Sequence, residues 1–424
     1  MGQHKLYAYM ANSGWMLAEQ LLRLISGVLV GVYIARYLGP EQFGILSYVI
    51  AVVAFLVVVA RLGMDAILVR ELAQDLHAGR KLGTAMALML GAAALCYSLL
   101  LLVLYVSNEP LAIKHYLALA SLSVFLVMFY AFDFLFQARV EAKRGAMAKS
   151  AALSIMVVVK LLFIWQETTL VWFVAAYLME HVLVAVCLLG MYKYAQPIDK
   201  LSISKADIKP LLGSAWPMVL AGLSSLIYMR IDQLMLRHML GMEEVGIYAA
   251  AARIYEAWIL IPFVLSTSLL PFLVAVKKAS YPVFIKRMQW LFSGMVAMTS
   301  FAALIAYWLS EPIILFAFGP SYQASASILP LLMASAIFTS VHSLTVRYMT
   351  VEHLERKVAK RTFAAALLNI VANAILIPAL GVQGAAWSTL LTMFFIAYVM
   401  DYLEADLKPL ARIKRNALLK PLVR

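Results

Sequence analysis

Ionisable side chains stand inside stretches that are otherwise apolar enough to cross a bilayer, and these are the first candidates for chemistry. Glu19 and Arg23 lie in the first such stretch, Lys160 and Glu180 in the fifth and sixth, Arg230 and Asp232 in the seventh, and Arg253 and Glu256 in the eighth. His181 adds a titratable neighbour to Glu180. A charge at the bilayer centre costs about 2.5–3.5 kcal/mol even on insertion scales, so each must face a cavity or a partner. Guanidinium and ammonium groups there suit phosphate oxygens, the arginines as planar multi-donor forks and the lysine as a point charge. Carboxylates suit cations or protons.

Spacing sorts these residues. Asn12, Glu19, Arg23 and Ser26 recur at i, i+7, i+11 and i+14, which draws one polar stripe along the first helix and turns it toward a cavity. Glu19 with Arg23 and Arg253 with Glu256 are also spaced for local ion pairs, the structural alternative. Arg230 and Asp232, two apart, point to different faces and must find partners elsewhere. Lys160 and Glu180 lack an opposite charge one turn away, and either bridge their two helices or serve transport. Cys96 and Cys187 lie inside apolar stretches without metal spacing and are expected only to pack.

The elements that position them are set by composition. Of 424 residues 64% are hydrophobic and 13% charged, with a mean hydropathy of +0.88, where soluble domains are about a quarter charged. The pattern predicts an all-α polytopic membrane protein with twelve transmembrane helices, near 11–35, 45–66, 82–106, 115–138, 146–166, 169–192, 211–235, 245–272, 288–309, 325–347, 360–378 and 382–402. Glu19 and Arg23 interrupt the first apolar run and no small-residue cleavage site follows, so no cleaved signal peptide is expected.

A formal charge of +13 raises the question of nucleic acid, and placement answers it. On this reading 28 of the 35 Lys and Arg residues fall on one side of the membrane, while the other carries only Arg36, Lys114 and Arg237. The positive-inside rule then places both termini in the cytoplasm. The charge is topology, and no nucleic-acid partner is expected. Arg61, Asp65 and Arg70, at the cytoplasmic end of the second span, are either loop anchors or parts of an inner gate.

The chain also repeats itself. RYLGPEQFGILSY at 36–48 aligns with HMLGMEEVGIYAA at 238–250 at an offset of 202, through Leu38/Leu240, Gly39/Gly241, Glu41/Glu243, Gly44/Gly246 and Ile45/Ile247. A fainter echo sets 136–152 beside 348–364. The repeats predict two six-helix bundles of like orientation, with a cavity between them. The bundles would occupy 1–192 and 211–403, joined by a cytoplasmic linker at 193–210 with Pro197 and Pro210 as breakers, and followed by a basic tail at 404–424. Gly27 and Gly31 fit close helix packing, and Pro217, Pro262 and Pro271 fit bends.

YIARYLGPEQFGILSY at 33–48, RLGMDAILVRELA at 61–73, MRIDQLMLRHMLGMEEVGIYAAAARIYE at 229–256 and NIVANAILIPALGVQGAAW at 369–387 resemble the multidrug/oligosaccharidyl-lipid/polysaccharide (MOP) exporter superfamily, whose architecture is MATE-like. Within it the chain resembles the polysaccharide-repeat, O-antigen flippases of Wzx type. Asn369, Asn373, Ile377, Pro378, Gly381, Gly384, Ala385 and Ala386 carry one motif, and Asp232, Gly241, Gly246 and Tyr248 the other. The resemblance implies a flippase, not an enzyme, that carries an undecaprenyl-diphosphate-linked glycan from the cytoplasmic to the periplasmic leaflet for O-antigen, lipopolysaccharide or related polysaccharide assembly. It would work among membrane lipids and beside a polysaccharide polymerase and chain-length machinery.

On that basis Arg23, Arg230, Arg253 and Lys160 are expected to bind the anionic head group. Glu19, Asp232, Glu256, Glu180 and His181 are the candidates for coupling to protons or sodium, with no cofactor or metal expected. The rivals are a multidrug or cation antiporter of the same superfamily and a membrane glycosyltransferase or polymerase. Deep acids and bases number four each, which disfavours a cation pocket, and the predicted outer loops are too short for a catalytic cluster.

Overall fold

The computed structural model describes residues 3–74, 78–195 and 200–419, and every regular element among them is helical. Eleven of these are long and apolar enough to cross a membrane. The first, Gly14–Leu72, is 59 residues, roughly 90 Å at 1.5 Å per residue and about twice a bilayer. Gly39, at φ 74° and ψ 171°, breaks it, so that counted as two spans it yields the twelve expected. Pro197 lies outside the described residues, as do residues 420–424 of the basic tail.

The helices run in order α1 (Gln3–Arg61), α2 (Met64–Leu72), α3 (Ala78–Val106), α4 (Leu111–Ser121), α5 (Tyr130–Ala138), α6 (Ala142–Trp165) and α7 (Leu170–Tyr194). There follow α8 (Lys205–Met239), α9 (Met242–Ser268), α10 (Leu270–Ala279), α11 (Tyr281–Phe318), α12 (Leu329–Val351), α13 (Glu355–Leu380), α14 (Val382–Phe394), α15 (Met400–Leu403) and α16 (Lys408–Leu419). A 3-10 stretch, Leu122–Phe129, joins α4 to α5, and a π turn, Phe395–Val399, joins α14 to α15. Pro210 does not break the chain as expected. It sits near the start of α8, where a missing N–H forfeits one hydrogen bond and the helix continues. Pro312 does disturb its helix, since Leu309 just before it is non-helical.

The chain divides into two units, residues 1–37 with 45–226 and residues 38–44 with 227–424. The first packs around Met64, Leu68, Leu82, Phe132, Phe136 and Leu188, with Phe132 stacked on Tyr192 at 4.3 Å. The second packs around Phe284, Met288, Phe292, Leu344 and Met349, and α16 completes that core with Leu410, Ile413 and Ala417. In both units the outer helix faces are apolar: Leu95, Leu102, Val158, Val186 and Phe301 are each more than half exposed, tolerable in lipid and not in water. Exposed Tyr105 and Trp165 close α3 and α6 as interfacial aromatics do.

In the second unit the repeated motif meets itself. Gly39 and Gly241 adopt positive φ that only glycine tolerates well, ending one helix and starting the next. Five residues on, Gly44 and Gly246 let backbones touch. A Cβ on Gly246 would stand 1.9 Å from the Pro40 carbonyl oxygen, and one on Gly44 1.8 Å from that of Met242. The echo read from the sequence is thus a backbone-to-backbone contact.

Candidate functional site

In the first unit four helices bring charges into one alternating chain. Lys160 Nζ of α6 donates to Glu180 Oε2 of α7 at 2.7 Å, and Arg23 of α1 lies 3.8 Å from the same carboxylate. Arg23 also holds Glu19 at 3.0 Å, Lys149 bridges Glu19 at 3.2 Å and Asp133 at 3.0 Å, and Gln137 donates to Asp133 at 3.0 Å. Three cations therefore meet three carboxylates. Gly145 makes the room, since a Cβ there would strike Asp133 Oδ1 at 1.8 Å. Asn12 caps the inner end by accepting from the Ala142 N–H at 2.5 Å, and His181 Nδ1 contacts the Tyr177 carbonyl at 2.9 Å.

Lys149 reads in sequence as a loop anchor, and Asp133 escapes notice because it has no opposite charge spaced one turn away in its own helix. Its signal is there nonetheless, as the one carboxylate in the run FYAFDFLF. Arg61 ends α1 with its guanidinium 4.7 Å over the Tyr130 ring. Asp65 opens α2, and Arg70 pairs with its neighbour Glu71 at 3.2 Å.

The second unit holds a cavity of about 440 Å³ at the depth of its spans. Arg230 and Asp232 of α8 both line it, with different partners. Arg230 Nη1 lies 2.8 Å from Glu256 Oε1 on α9, while Asp232 accepts from the Tyr248 hydroxyl and, at 2.8 Å, from the Gln233 N–H. The motif residues Asp232 and Tyr248 thus meet in space, and the phenol reaches on to Thr389 at 3.5 Å. The local pair that was the alternative for Arg253 and Glu256 does not form: Glu256 faces the cavity and takes Arg230, whereas Arg253, expected to bind the head group, is not among the residues that line this cavity.

The far wall is one face of α12, with Thr339, His342, Ser343, Val346 and Arg347 at helical spacing. Arg347 lies over Phe263 at 5.6 Å, and among the described residues neither Arg347 Nε nor His342 Nδ1, both buried, has a hydrogen-bond partner. Sequence reading places Arg347 at the membrane edge as an anchor and passes over His342. Periodicity from Thr339 to Arg347 was the available signal.

A third cluster is fully enclosed. Asp401 accepts from Arg361 Nη2 and, at 2.6 Å, from Lys414 Nζ of α16, with all three side chains at 0–1% exposure. Arg361 reaches the Ile396 carbonyl at 3.3 Å and Lys414 the Ala397 carbonyl at 2.6 Å. Those carbonyls belong to the π turn, whose wide hydrogen-bond spacing leaves acceptors for outside donors. The remaining motif residues serve packing: Asn373 donates to Asn369 and Asn369 to Thr392, while Gly384 lets α14 approach the Leu376 carbonyl.

Multiple apolar spans enclosing ion-pair networks, with a cavity that has charged side chains in its wall, define a polytopic helical membrane protein. Comparison with known proteins places it further. The family described as "Polysaccharide biosynthesis protein" matches residues 9–277. Among solved structures the chain is similar to the lipid II flippase MurJ in an inward closed conformation, at a TM-score of 0.74 and 14% identity over 97% of this chain and 91% of that one. It is similar to an inward-facing multidrug resistance MATE family transporter, at 0.66 and 17% over 95% and 96%. It is also similar to a MOP superfamily transporter from Pyrococcus furiosus described by the reverse polarity of its binding pocket, at 0.61 and 18% over 97% and 96%. No curated protein matches. The chain belongs to the polysaccharide biosynthesis protein family, and its fold is that of MOP superfamily transporters.

Proposed function

We propose that the chain flips an undecaprenyl-diphosphate-linked oligosaccharide from the cytoplasmic to the periplasmic leaflet of a bacterial inner membrane, with both termini cytoplasmic, for O-antigen or related surface polysaccharide. The observation that carries this reading is a cavity at span depth, lined by Arg230, Arg347 and His342, in a member of a polysaccharide biosynthesis family. A diphosphate cannot cross hydrocarbon bare, so its carrier must offer a polar seat while the polyprenyl tail stays in lipid. An inside-negative potential assists the outward step by about 2.3 kcal/mol per charge per 100 mV.

In this reading the first unit's chain of Glu19, Arg23, Lys160 and Glu180 is a set of pairs that an anionic head group exchanges with, and Arg230 serves likewise by releasing Glu256. Asp232, Glu256, Glu180 and His181 are the groups through which protons or sodium would couple. Arg61, Asp65 and Arg70 belong to an inner gate. A polymerase and chain-length proteins would take the product.

Complementation of a flippase-null strain tests the proposal, by scoring surface polymer and cytoplasmic-leaflet intermediate at matched protein level. Restored polymer with cleared intermediate is expected from the wild type, and loss of both effects from Arg230→Ala. Accumulated intermediate despite full expression of the wild type, or resistance to cationic dyes in its place, would overturn it.

A further inference from the structure

Resting on the flippase reading, we propose that Arg347 and His342 on α12 form the primary seat for the diphosphate group of the lipid-linked substrate. Arg23, Lys160 and Arg230 each hold a carboxylate within 2.7–3.8 Å, so an anion reaching them must first displace a partner. Arg347 also lines the cavity, and among the described residues no carboxylate or hydrogen bond holds it. Its guanidinium rests on the face of Phe263, an arrangement that orients the fork while leaving its N–H groups free.

Five residues before it, His342 lines the same cavity, and its buried Nδ1 has no hydrogen-bond partner among the described residues. A neutral imidazole carrying its proton there donates one more hydrogen bond to an oxyanion. Behind this wall the Arg361–Asp401–Lys414 cluster has two cations for one carboxylate, and both positive charges act on His342. With Arg230 and Arg347 balanced by Glu256 and Asp232, the lining is neutral, and the surplus comes from that cluster. Buried donors left unpaired are costly unless a ligand takes them. A volume of about 440 Å³ lies within the range of small-molecule sites. The first unit contains a comparable cation, Arg61 over Tyr130, and at the repeat offset of 202 Arg61 corresponds to Phe263. Each half therefore sets a cation on an aromatic ring.

The test is titration of the detergent-solubilised full chain with farnesyl diphosphate by calorimetry, with farnesol, inorganic pyrophosphate and phosphatidylglycerol as comparison arms. Farnesyl diphosphate is expected to bind, pyrophosphate to compete, and farnesol and phosphatidylglycerol to do neither. Arg347→Gln should weaken binding at least about tenfold, the fold-change for one charged hydrogen bond. Arg347→Lys should weaken it less and His342→Ala several-fold, each checked as monodisperse, so that failure of one variant to fold leaves the others to decide. Binding by a monodisperse Arg347→Gln or His342→Ala within twofold of wild type overturns the seat. So does equal competition by phosphatidylglycerol, which would make it a general lipid-headgroup site. Complementation separates the two claims: polymer restored with binding unchanged in Arg347→Gln sinks the seat alone, and binding lost in Arg347→Gln with no complementation by wild type sinks the flippase reading alone.

Discussion

Asp401 is the side chain whose loss should cost the second unit most. It is the one carboxylate between Arg361 and Lys414, and all three are cut off from solvent. Asp401→Asn keeps the shape and leaves two buried cations facing each other with only carbonyls for company. Breaking a buried ion pair from one side costs about 3–5 kcal/mol. For a unit of this size that corresponds to a fall in Tm of about 6–20 °C. Lys414→Met removes the surplus cation instead, leaves Asp401 paired with Arg361 and keeps an apolar stem where Lys414 lies 5.6 Å from Phe292 and 5.7 Å from Tyr398, so it should cost less than Asp401→Asn. The double variant should recover part of the Asp401→Asn loss, because one of the two stranded charges is gone. Thermal unfolding of the purified protein in one detergent, followed by near-ultraviolet circular dichroism, measures all three. An Asp401→Asn protein melting within about 2 °C of wild type would refute the claim that this cluster holds α16 to its unit.

The same cluster makes stability depend on pH: burial, opposed by Asp401, pushes Lys414 down from 10.5 to about 8. The unfolded chain then binds more protons between those values, so the wild type should gain stability relative to Lys414→Met as pH rises from about 8 to 10.5 and lose that gain as pH falls back. Gly246→Ala should destabilise by about 1–3 kcal/mol, since its Cβ meets a backbone carbonyl, whereas Gly294→Ala, with open space around it, should be neutral or slightly stabilising; equal melting temperatures would show that the contact yields. Glu180→Gln should lower Tm by several degrees by stranding Lys160 beside Arg23, and Lys160→Met with Glu180→Leu should restore it; a double variant no better than Glu180→Gln would show that the pair is held for something other than its charge balance.

By itself, the sequence determined that this chain lives in a membrane, because no arrangement in water hides so apolar a set of helices. It also determined where the spans lie, that Arg230 and Asp232 need separate partners, and that Gly39 and Gly44 recur as Gly241 and Gly246. Helical spacing states which residues share a face of their own helix, and here it anticipated the Glu19–Arg23 pair and left Lys160 and Glu180 to seek each other. Spacing carries nothing about which neighbouring helix comes opposite. Only the tertiary structure decided that Glu256 takes Arg230 in place of Arg253, and that Lys149 leaves the loops to hold Asp133. It alone showed that Arg347, at the edge of its span, turns inward onto Phe263. A long cationic side chain at a helix end can reach water or the interior, and the choice belongs to the helix packed beside it.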